Sequence, residues 1–293
     1  MGKRKGFTLV EVTLFLAITA LLFLGIAMGV QNSVFQQRYN DSTQSFLEFM
    51  RSVYSKVSNP QTIGSGNSEK AIYGKLIVFG ENYGLDGKEL VGDEVRSIFT
   101  YDVVGDADTV WGSLGTGNVK SMLKSLKADV VVVTKKDAAT DKIAEAELMS
   151  PEKYTPHWGA VIETTTPGTL FTGSVLVVRH PRSGTINTLY SSTVMNINSN
   201  FANLMSGSET ETEAETETET ETETETLDPE TNHWLKIDSF KPEEVNFCVN
   251  PDGLGVVRGI RRQNIRIMSN TRNASGVELI DLDDSDVNVC NTY

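Results

Sequence analysis

The sequence predicts an α+β fold in which a long N-terminal helix packs on a β-rich globular head. The chain opens with an apolar run that extends to Val30, and apolar residues then recur at three-to-four spacing as far as Val57. Beyond Pro60, short segments rich in Val, Ile, Thr and aromatic residues alternate with Gly, Pro, Asn and Asp. With 293 residues, of which 39% are hydrophobic, the chain is long enough to form a substantial core.

The first half of the predicted helix, residues 7–30, is long and apolar enough to cross a membrane. Glu11 is its single charged residue, and residues 12–37 carry no charge. Basic side chains at positions 3–5 precede it, so the positive-inside rule keeps this end in the cytoplasm and places the head outside. A cleaved secretory signal peptide is the alternative. The carboxylate near the start of the apolar segment argues against that alternative, because it is costly to insert.

The second half of the helix, residues 31–58, is amphipathic rather than wholly apolar. The apolar positions that share one face are Phe35, Tyr39, Phe46, Met50, Val53 or Tyr54, and Val57. No proline occurs before Pro60, and the sequence Ser-Asn-Pro at 58–60 ends the helix. This half is therefore predicted to pack on the head, while the first half lies in lipid.

The segment from Lys3 to Glu11 reads Lys-Arg-Lys-Gly-Phe-Thr-Leu-Val-Glu. It resembles the processing site of the type IV pilin family, in which a prepilin peptidase cuts on the cytoplasmic side after the glycine and methylates the new amino terminus. The resemblance implies a prepilin leader at residues 1–6, cleavage between Gly6 and Phe7, N-methylation of Phe7 and a type IV pilin-like fold. It covers about the first sixth of the chain.

The resemblance also implies an assembly role for Glu11, which becomes the fifth residue after cleavage. In the family this carboxylate is thought to meet the terminal amine of a neighbouring subunit, which neutralises two groups that are expensive in lipid. The alternative is that the side chain only reaches back to the cytoplasmic interface. Gly25 and Gly29 have the small-xxx-small spacing that lets helices approach closely, although such a pair also arises by chance in membrane spans.

The head is predicted to begin with a β-rich part at residues 70–205. Its predicted strands are residues 72–79, 97–104, 129–134, 160–164, 174–178 and 185–190. Between them, Val119, Met122, Leu123 and Leu126 fall at helical spacing and predict one short helix on the sheet.

An acidic insertion at residues 208–226 interrupts the head. Nine glutamates alternate largely with threonine between Glu209 and Glu225, so the tract has no apolar face and is predicted to be disordered. An O-glycosylated or cation-attracting spacer is the functional interpretation, and tolerated filler is the alternative that the pattern slightly favours. The C-terminal part, residues 227–293, resumes as strands. These are predicted at residues 245–249, 255–257, 264–268 and 277–282.

Cys248 and Cys290 are the two cysteines of the chain, and in an exported head they are predicted to form a disulfide. Type IV pilins often close a C-terminal loop in this way, which is a second point of resemblance. Two buried free thiols are the alternative.

The net charge of −13 argues against a nucleic-acid partner, since phosphate neutralisation needs clustered Lys and Arg. The three histidines have no metal-ligand spacing, and the sequence shows no catalytic or phosphate-binding motif, so neither enzyme activity nor a cofactor is predicted. Weak candidates for a Ca²⁺ site are Asp281, Asp283, Asp284 and Asp286. They lack the glycine and the distal glutamate of an EF-hand loop, which favours an exposed acidic turn instead.

The resemblance implies a non-enzymatic structural subunit of a type IV pilus, used for adhesion, motility or DNA uptake. Its size and insertion favour a minor, tip-located or adhesive subunit. The implied partners are other pilin subunits, the prepilin peptidase, the pilus assembly platform with its ATPase, and the membrane. The precursor would cross the cytoplasmic membrane once, and the assembled subunit would be extracellular. The alternatives are a pseudopilin of a type II secretion or competence apparatus, and a signal-anchored surface protein that never polymerises.

Overall fold

The computed structural model of the chain describes most of the head and nearly all of the N-terminal helix. The described residues are 8–59, 62–63, 70–106, 119–136, 143–181, 183–206, 235–251, 262–271, 276–280 and 289–291. The predicted features that lie outside these ranges include the glutamate-threonine insertion at 208–226 and the strand at 255–257.

The first element is helix α1 (Leu9–Ser58), whose 50 residues span about 75 Å at 1.5 Å per residue. Thr8 is its N-cap, because the hydroxyl of Thr8 accepts a hydrogen bond from the backbone amide of Glu11. The carboxylate of Glu11 accepts one from the backbone amide of Thr8 in return, which completes a capping box. Asn59 is the C-cap residue. The prediction of one long helix is therefore confirmed.

The described part of the head contains fourteen strands. In chain order they are β1 (Thr62–Ile63), β2 (Lys70–Phe79), β3 (Ile98–Asp106), β4 (Val131–Lys136), β5 (Ile143–Leu148), β6 (Glu152–Tyr154), β7 (Val161–Glu163), β8 (Gly173–Arg179), β9 (Ile186–Ser191), β10 (Lys241–Pro242), β11 (Val245–Asn250), β12 (Gln263–Ile267), β13 (Asn270–Thr271) and β14 (Val277–Ile280). Two further helices are α2 (Val119–Ser125) and α3 (Ile197–Ser206).

The strands form one large and two smaller sheets, in which every pairing is antiparallel. The large sheet has the order β10-β9-β8-β2-β3-β6, with β1 paired to β2 and β13 paired to β9. The second sheet has the order β14-β12-β11-β7, and β4 pairs with β5 apart from both. The coarse prediction of an α+β chain with a sheet-rich head is confirmed.

The large sheet is buried on both faces, because successive side chains of a strand point to opposite sides. On β2, Leu76 and Val78 enter a core that also contains residues of α2 and α3. Ile77 and Phe79 enter a second core, which the second half of α1 and the second sheet cover. The sheet is therefore the middle layer of the head.

The amphipathic half of α1 supplies one wall of this second core. Its buried side chains are Tyr39, Phe46, Leu47, Met50, Val53, Tyr54 and Val57. Phe247 of β11 lies between this wall and the large sheet, with its ring centroid 5.5 Å from that of Phe46 and 5.1 Å from that of Phe79. The predicted face of residues 31–58 is thus the face that packs on the head.

The segment 152–159 runs along the side of α1 in the opposite direction to the helix, from the level of Lys56 to that of Arg38. Its contacts are, in order, Glu152 with Lys56 at 2.7 Å, the Tyr154 hydroxyl with that of Ser45 at 3.2 Å, the His157 carbonyl with the Ser42 hydroxyl at 3.0 Å, and the Trp158 ring centroid with the Arg38 guanidinium carbon at 4.8 Å. From position 56 to position 38 the helix rises about 27 Å. Residue 158 therefore lies at the end of the head that is nearest to the first half of α1.

A buried ion pair joins β2 to β3 near Glu152, at the beginning of this segment. The Lys75 ammonium lies 2.8 Å from the Asp102 carboxylate, and both side chains are less than a tenth exposed. Glu152 lies 3.6 Å from the same ammonium. Partial burial would raise the pKa of Glu152, but Lys56 and Lys75 outweigh it and bring this pKa below its usual value. These charges fix the end of α1 to the sheet.

The nine predicted strands that the structure describes all occur, with ends shifted by at most two residues, and the helix predicted at Val119 to Leu126 is α2. Six strands and helices were not predicted, namely β1, β5, β6, β10, β13 and α3, and of these β1, β10 and β13 are only two residues long. The sequence of β5, Ile-Ala-Glu-Ala-Glu-Leu, is poor in β-branched residues, and its strand conformation depends on pairing with β4. In α3, Asn and Ser weaken the local helix signal, and packing of Ile197 and Phe201 on the core compensates.

The disulfide between Cys248 and Cys290 is present, with the two Cα atoms 5.5 Å apart. Cys248 belongs to β11, and Cys290 lies in a single 3₁₀ turn at Val289–Asn291. Both side chains are fully buried. The bond therefore fastens the C-terminal end of the chain to the second sheet.

Replacing both cysteines by alanine is expected to lower the free energy of unfolding by about 2–4 kcal/mol, because the bond closes a loop between residues 42 positions apart. Denaturant titration of the full-length chain in detergent measures the change. An unchanged midpoint would contradict a stabilising role for the disulfide. Reducing the unsubstituted chain should reproduce the loss, which separates the effect of the bond from that of the side chains.

Candidate functional site

The first half of α1 projects from the head as an exposed apolar rod. None of its most apolar 18-residue stretch is buried. The large apolar side chains that are exposed here are Leu9, Val10, Val12, Leu14, Phe15, Leu16, Ile18, Leu21, Leu22, Phe23, Leu24, Ile26, Met28, Val30 and Val34. Monomeric soluble proteins rarely expose a contiguous apolar surface of this size, and such surfaces are typical of contacts with lipid or with other chains.

The rod is long and apolar enough to span a membrane. The uncharged stretch 12–37 measures about 39 Å along the helix axis, close to the 40–45 Å of a bilayer that includes its headgroups. Beyond it, the amphipathic half of the same helix is embedded in the head. The head is therefore joined to the rod by a continuous helix, with no linker between them.

Glu11 is the charged group of the rod. Its carboxylate Oε2 accepts hydrogen bonds from the backbone amide and the hydroxyl of Thr8, at 2.9 and 3.0 Å. Both bonds lie on the solvent-accessible end of α1, and the carboxylate has no cation near it among the described residues. Two local donors therefore hold the carboxylate at the helix start, where it can also meet a cation from outside the subunit.

Gly25 and Gly29 lie about one helical turn apart on α1, and the absence of their side chains leaves a shallow notch in its surface. A Cβ atom added at either position would meet no atom within 4 Å, so packing within the chain does not require glycine there. The notch is a place where another helix can approach closely.

The structure places the predicted site residues in separate parts of the molecule. Glu11 lies at the beginning of α1, whereas Cys248 lies in the second sheet and Cys290 in the 3₁₀ turn that is bonded to it. Gly6 and Phe7 lie outside the described residues, as do Asp281, Asp283, Asp284 and Asp286. Within the described ranges, no group of three or more His, Cys, Asp or Glu side chains is placed to hold a metal ion.

One residue with a positioning role, Tyr39, was predicted only as part of the apolar face. Its hydroxyl donates to the carbonyl oxygen of Val249 at 2.8 Å and accepts from the backbone amide of Gln263 at 2.7 Å. Burial raises the pKa of Tyr39 well above its usual value, so the hydroxyl keeps its proton. It thereby fixes α1 to two strands of the second sheet at the point where the rod leaves the head.

A second group that the sequence did not reveal is Glu81, which is fully buried just after β2. Its Oε1 accepts from the backbone amide of Asn198 at the start of α3, and its Oε2 lies 2.9 Å from the hydroxyl of Tyr101. The same hydroxyl lies 2.8 Å from Oδ1 of Asn198. The amide orientation of Asn198 is set by Nδ2, which donates to the carbonyl of Tyr83 at 2.9 Å.

The hydrogen bonds of this cluster favour the neutral form of Glu81. The Tyr101 hydroxyl has one proton but faces two acceptors if Glu81 is ionised. When Glu81 is protonated, its O–H donates to Tyr101, which in turn donates to Asn198, and each group is satisfied. Burial raises the pKa of Glu81 to about 7, while the bonds from Asn198 and Tyr101 limit the rise.

The raised pKa predicts that the chain loses stability as the pH rises. Between the ordinary pKa of 4.5 and the folded-state value of about 7, the folded chain binds more protons than the unfolded chain. This contribution, on the order of 3 kcal/mol, is complete at low pH and is lost by about pH 7–8. Unfolding free energies at about pH 5 and about pH 8 measure the difference between the chain and its Glu81→Gln variant.

The Glu81→Gln variant is the matched control, because its amide can donate to Tyr101 and accept from Asn198 with no ionisation. Its stability should lack this pH-dependent component. A difference between the two chains that stays constant over this pH range would show that Glu81 is already ionised in the fold.

Three comparisons with known proteins gave no match: the chain matches no protein-family model, no curated protein and no solved structure. The functional conclusion therefore rests on the rod, on its charged end and on the motif that precedes it.

Proposed function

We propose that the chain is a non-enzymatic subunit of an extracellular type IV pilus-like fibre, and a minor subunit by its size and acidic insertion. The chain is cut between Gly6 and Phe7, methylated at Phe7 and polymerised through α1. The observation that carries the proposal is the exposed apolar half of α1, which continues without a break into the half that is embedded in the head.

The energetics of the rod support polymerisation. In the precursor, lipid covers the apolar side chains of residues 9–30, so the exposed rod is stable in a membrane. Once the subunit leaves the membrane, the same surface must be covered again, at about 25 cal/mol for each Å² kept from water. Other copies of the rod offer the same length and the same apolar character, so a bundle of rods is the natural replacement for lipid.

The charged end supplies register to such a bundle. Cleavage after Gly6 leaves a positively charged amine on Phe7, close to the carboxylate of Glu11 of the same or a neighbouring chain. Pairing across subunits neutralises both groups inside the apolar bundle, where an unpaired charge is expensive. Among the described residues, the Glu11 carboxylate accepts hydrogen bonds from Thr8, which leaves it acceptor capacity for an amine.

Cells that express the chain with and without prepilin peptidase test this proposal. With the peptidase, the chain should be recovered in fibres sheared from the cell surface, and without it the chain should stay in the membrane fraction. Recovery in the membrane fraction in both strains would identify a signal-anchored protein. Peptidase-dependent release of secreted cargo without fibres would identify a pseudopilin, and either result would overturn the proposal.

A further inference from the structure

The exposed apolar residues of the head are concentrated in a few places. Among the described residues after position 34, the large exposed apolar side chains are Tyr83, Leu85, Val91, Val95, Trp158 and Leu170. All but Leu170 belong to the segment 83–95 or to the turn that carries Trp158. The most exposed of them are Val91 and Trp158, at 71% and 52%.

A hydrogen bond joins these two regions. Arg96, the last residue of a 3₁₀ turn at Gly92–Arg96, donates from Nη1 to the carbonyl oxygen of Gly159 at 3.0 Å. Gly159 directly follows Trp158, so Val95 and Trp158 flank the two partners of this bond. We call the surface around Val95 and Trp158 the underside of the head.

The underside lies at the end of the head that faces the rod. Trp158 makes the contact of the segment 152–159 with α1 that lies nearest to the rod, and its ring centroid is 4.8 Å from the Arg38 guanidinium carbon. The hydroxyl of Ser42, one helical turn further along, donates to the carbonyl of His157 at 3.0 Å. The underside is therefore level with the point where the rod enters the head.

Trp158 is held in a conformation that a bulky side chain rarely adopts. Its φ is +56°, in the left-handed region that favours glycine. The chain retains this strain although half of the indole is exposed and contributes little to the core. Backbone strain of this kind concentrates at functional positions.

Helix length sets the depth of this surface in a membrane. Arg38 is the first charged residue after Glu11, and the uncharged stretch between them covers about 39 Å. A bilayer measures about 40–45 Å with its headgroups. When α1 spans the membrane, Arg38 and Trp158 therefore reach the headgroup layer of the outer leaflet.

We propose that the underside of the head rests on the outer headgroup layer of the membrane in which α1 stands, with Trp158 as the interfacial anchor. Tryptophan concentrates at this depth, where its ring is in apolar surroundings and its N–H meets water or headgroups. The guanidinium of Arg38 lies over the indole ring, and its N–H groups are available to bind lipid phosphate. The acidic side chain of Glu94, next to Val95, is paired with Lys153 at 2.9 Å.

This contact rests on the membrane-inserted precursor of the proposed function, but it needs neither cleavage nor polymerisation. It gives the head a fixed position before assembly, because the embedded helix and the anchor together restrict tilt. Extraction of the subunit then breaks the lipid contact of Trp158 as well as that of the rod.

Fluorescence quenching in vesicles tests the inference with the full-length chain. Trp111 and Trp234 are replaced by phenylalanine, which leaves Trp158 as the single tryptophan of the chain. The vesicles contain phosphatidylcholine and phosphatidylglycerol, with bromine atoms either near the glycerol end of the acyl chains or near the middle of the bilayer. Two matched chains carry Trp158→Phe in the same background and place the single tryptophan elsewhere on α1. One carries Ser55→Trp, about 26 Å along the helix from Arg38 on the side away from the rod, and the other carries Phe23→Trp inside the rod.

We expect Trp158 to be quenched several-fold more strongly by the shallow bromines than the tryptophan at position 55, and less by the deep bromines than the tryptophan at position 23. The inference would be overturned if Trp158 were quenched no more strongly than the tryptophan at position 55 while the tryptophan at position 23 was still quenched by the deep bromines. That result would leave the proposed function intact. If Trp158 became protected from quenching only after fibres form, the underside would contact a neighbouring copy instead of lipid. Lack of quenching at position 23 would overturn both the inference and the membrane span on which it rests.

Discussion

Replacing Glu11 by alanine is expected to leave a chain that is cut and inserted in the membrane but is absent from fibres. The substitution removes the one charge of the rod, so the amine of Phe7 would enter the apolar bundle without a partner. An unpaired charge at such a position costs several kcal/mol in each subunit, which is enough to prevent stable incorporation. Quantification of the variant in sheared fibres and in the membrane fraction, against the unsubstituted chain, measures the effect.

The structure supplies a control for this experiment, because Glu11 also caps α1 through its bonds to Thr8. Thr8→Ala removes the hydroxyl that accepts from the Glu11 amide but keeps the carboxylate. A lost cap costs about 1 kcal/mol, so this variant should still assemble. Equal loss of assembly in both variants would mean that capping of the helix, and not charge pairing between subunits, is the role of Glu11. Normal assembly of Glu11→Ala would contradict the proposed pairing directly.

Replacing Phe247 by alanine is expected to lower the free energy of unfolding of the head by about 3–5 kcal/mol. The ring is fully buried and packs against Phe46, Phe79 and Phe171, with centroid distances of 5.5, 5.1 and 4.6 Å. It joins α1, the large sheet and the second sheet, so the cavity would weaken three contacts at once. Denaturant titration of the full-length chain in detergent, followed by near-ultraviolet circular dichroism, measures the loss.

Leu170→Ala is the matched control, since Leu170 is 49% exposed and its truncation removes little buried surface. It should change the free energy of unfolding by less than about 1 kcal/mol. Comparable losses in the two variants would show that the aromatic cluster does not join the layers of the head.

The sequence allowed the long helix and most of the strands to be predicted, because each has a strong local signal. In α1, the apolar spacing from Tyr39 to Val57 matches the buried face. In β2 and β8, both faces are buried, so nearly every residue is apolar and the strands stand out. Among the elements that were missed, β5, β6 and α3 carry Glu, Lys, Asn or Ser and owe their conformation to pairing or packing with distant segments.

The part of the candidate site that lies in one continuous segment could be predicted from the sequence. Glu11 and the rod are visible in the sequence because a lone charge within an apolar run is unusual. Tyr39, Glu81 and Trp158 were not identified as special positions. Tyr39 is bonded to residues 210 and 224 positions away, and Glu81 is bonded to one 117 positions away. Trp158 is distinguished by its turn conformation. Local composition carries no signal for such contacts.

The residue at which the mature chain begins tests the central claim most directly. Mass spectrometry of the N-terminal peptide, taken from chains purified from peptidase-positive cells, identifies this residue and its modification. The account predicts that the peptide begins at Phe7 and carries one methyl group on its amine. A peptide that begins at Met1 would show that the chain is never processed, and one that begins near Gly25 or Ala27 would show cleavage of an ordinary signal peptide. Either result would contradict the account, because an unprocessed chain lacks the amine on Phe7 and cleavage near Gly25 or Ala27 removes Glu11 together with most of the rod.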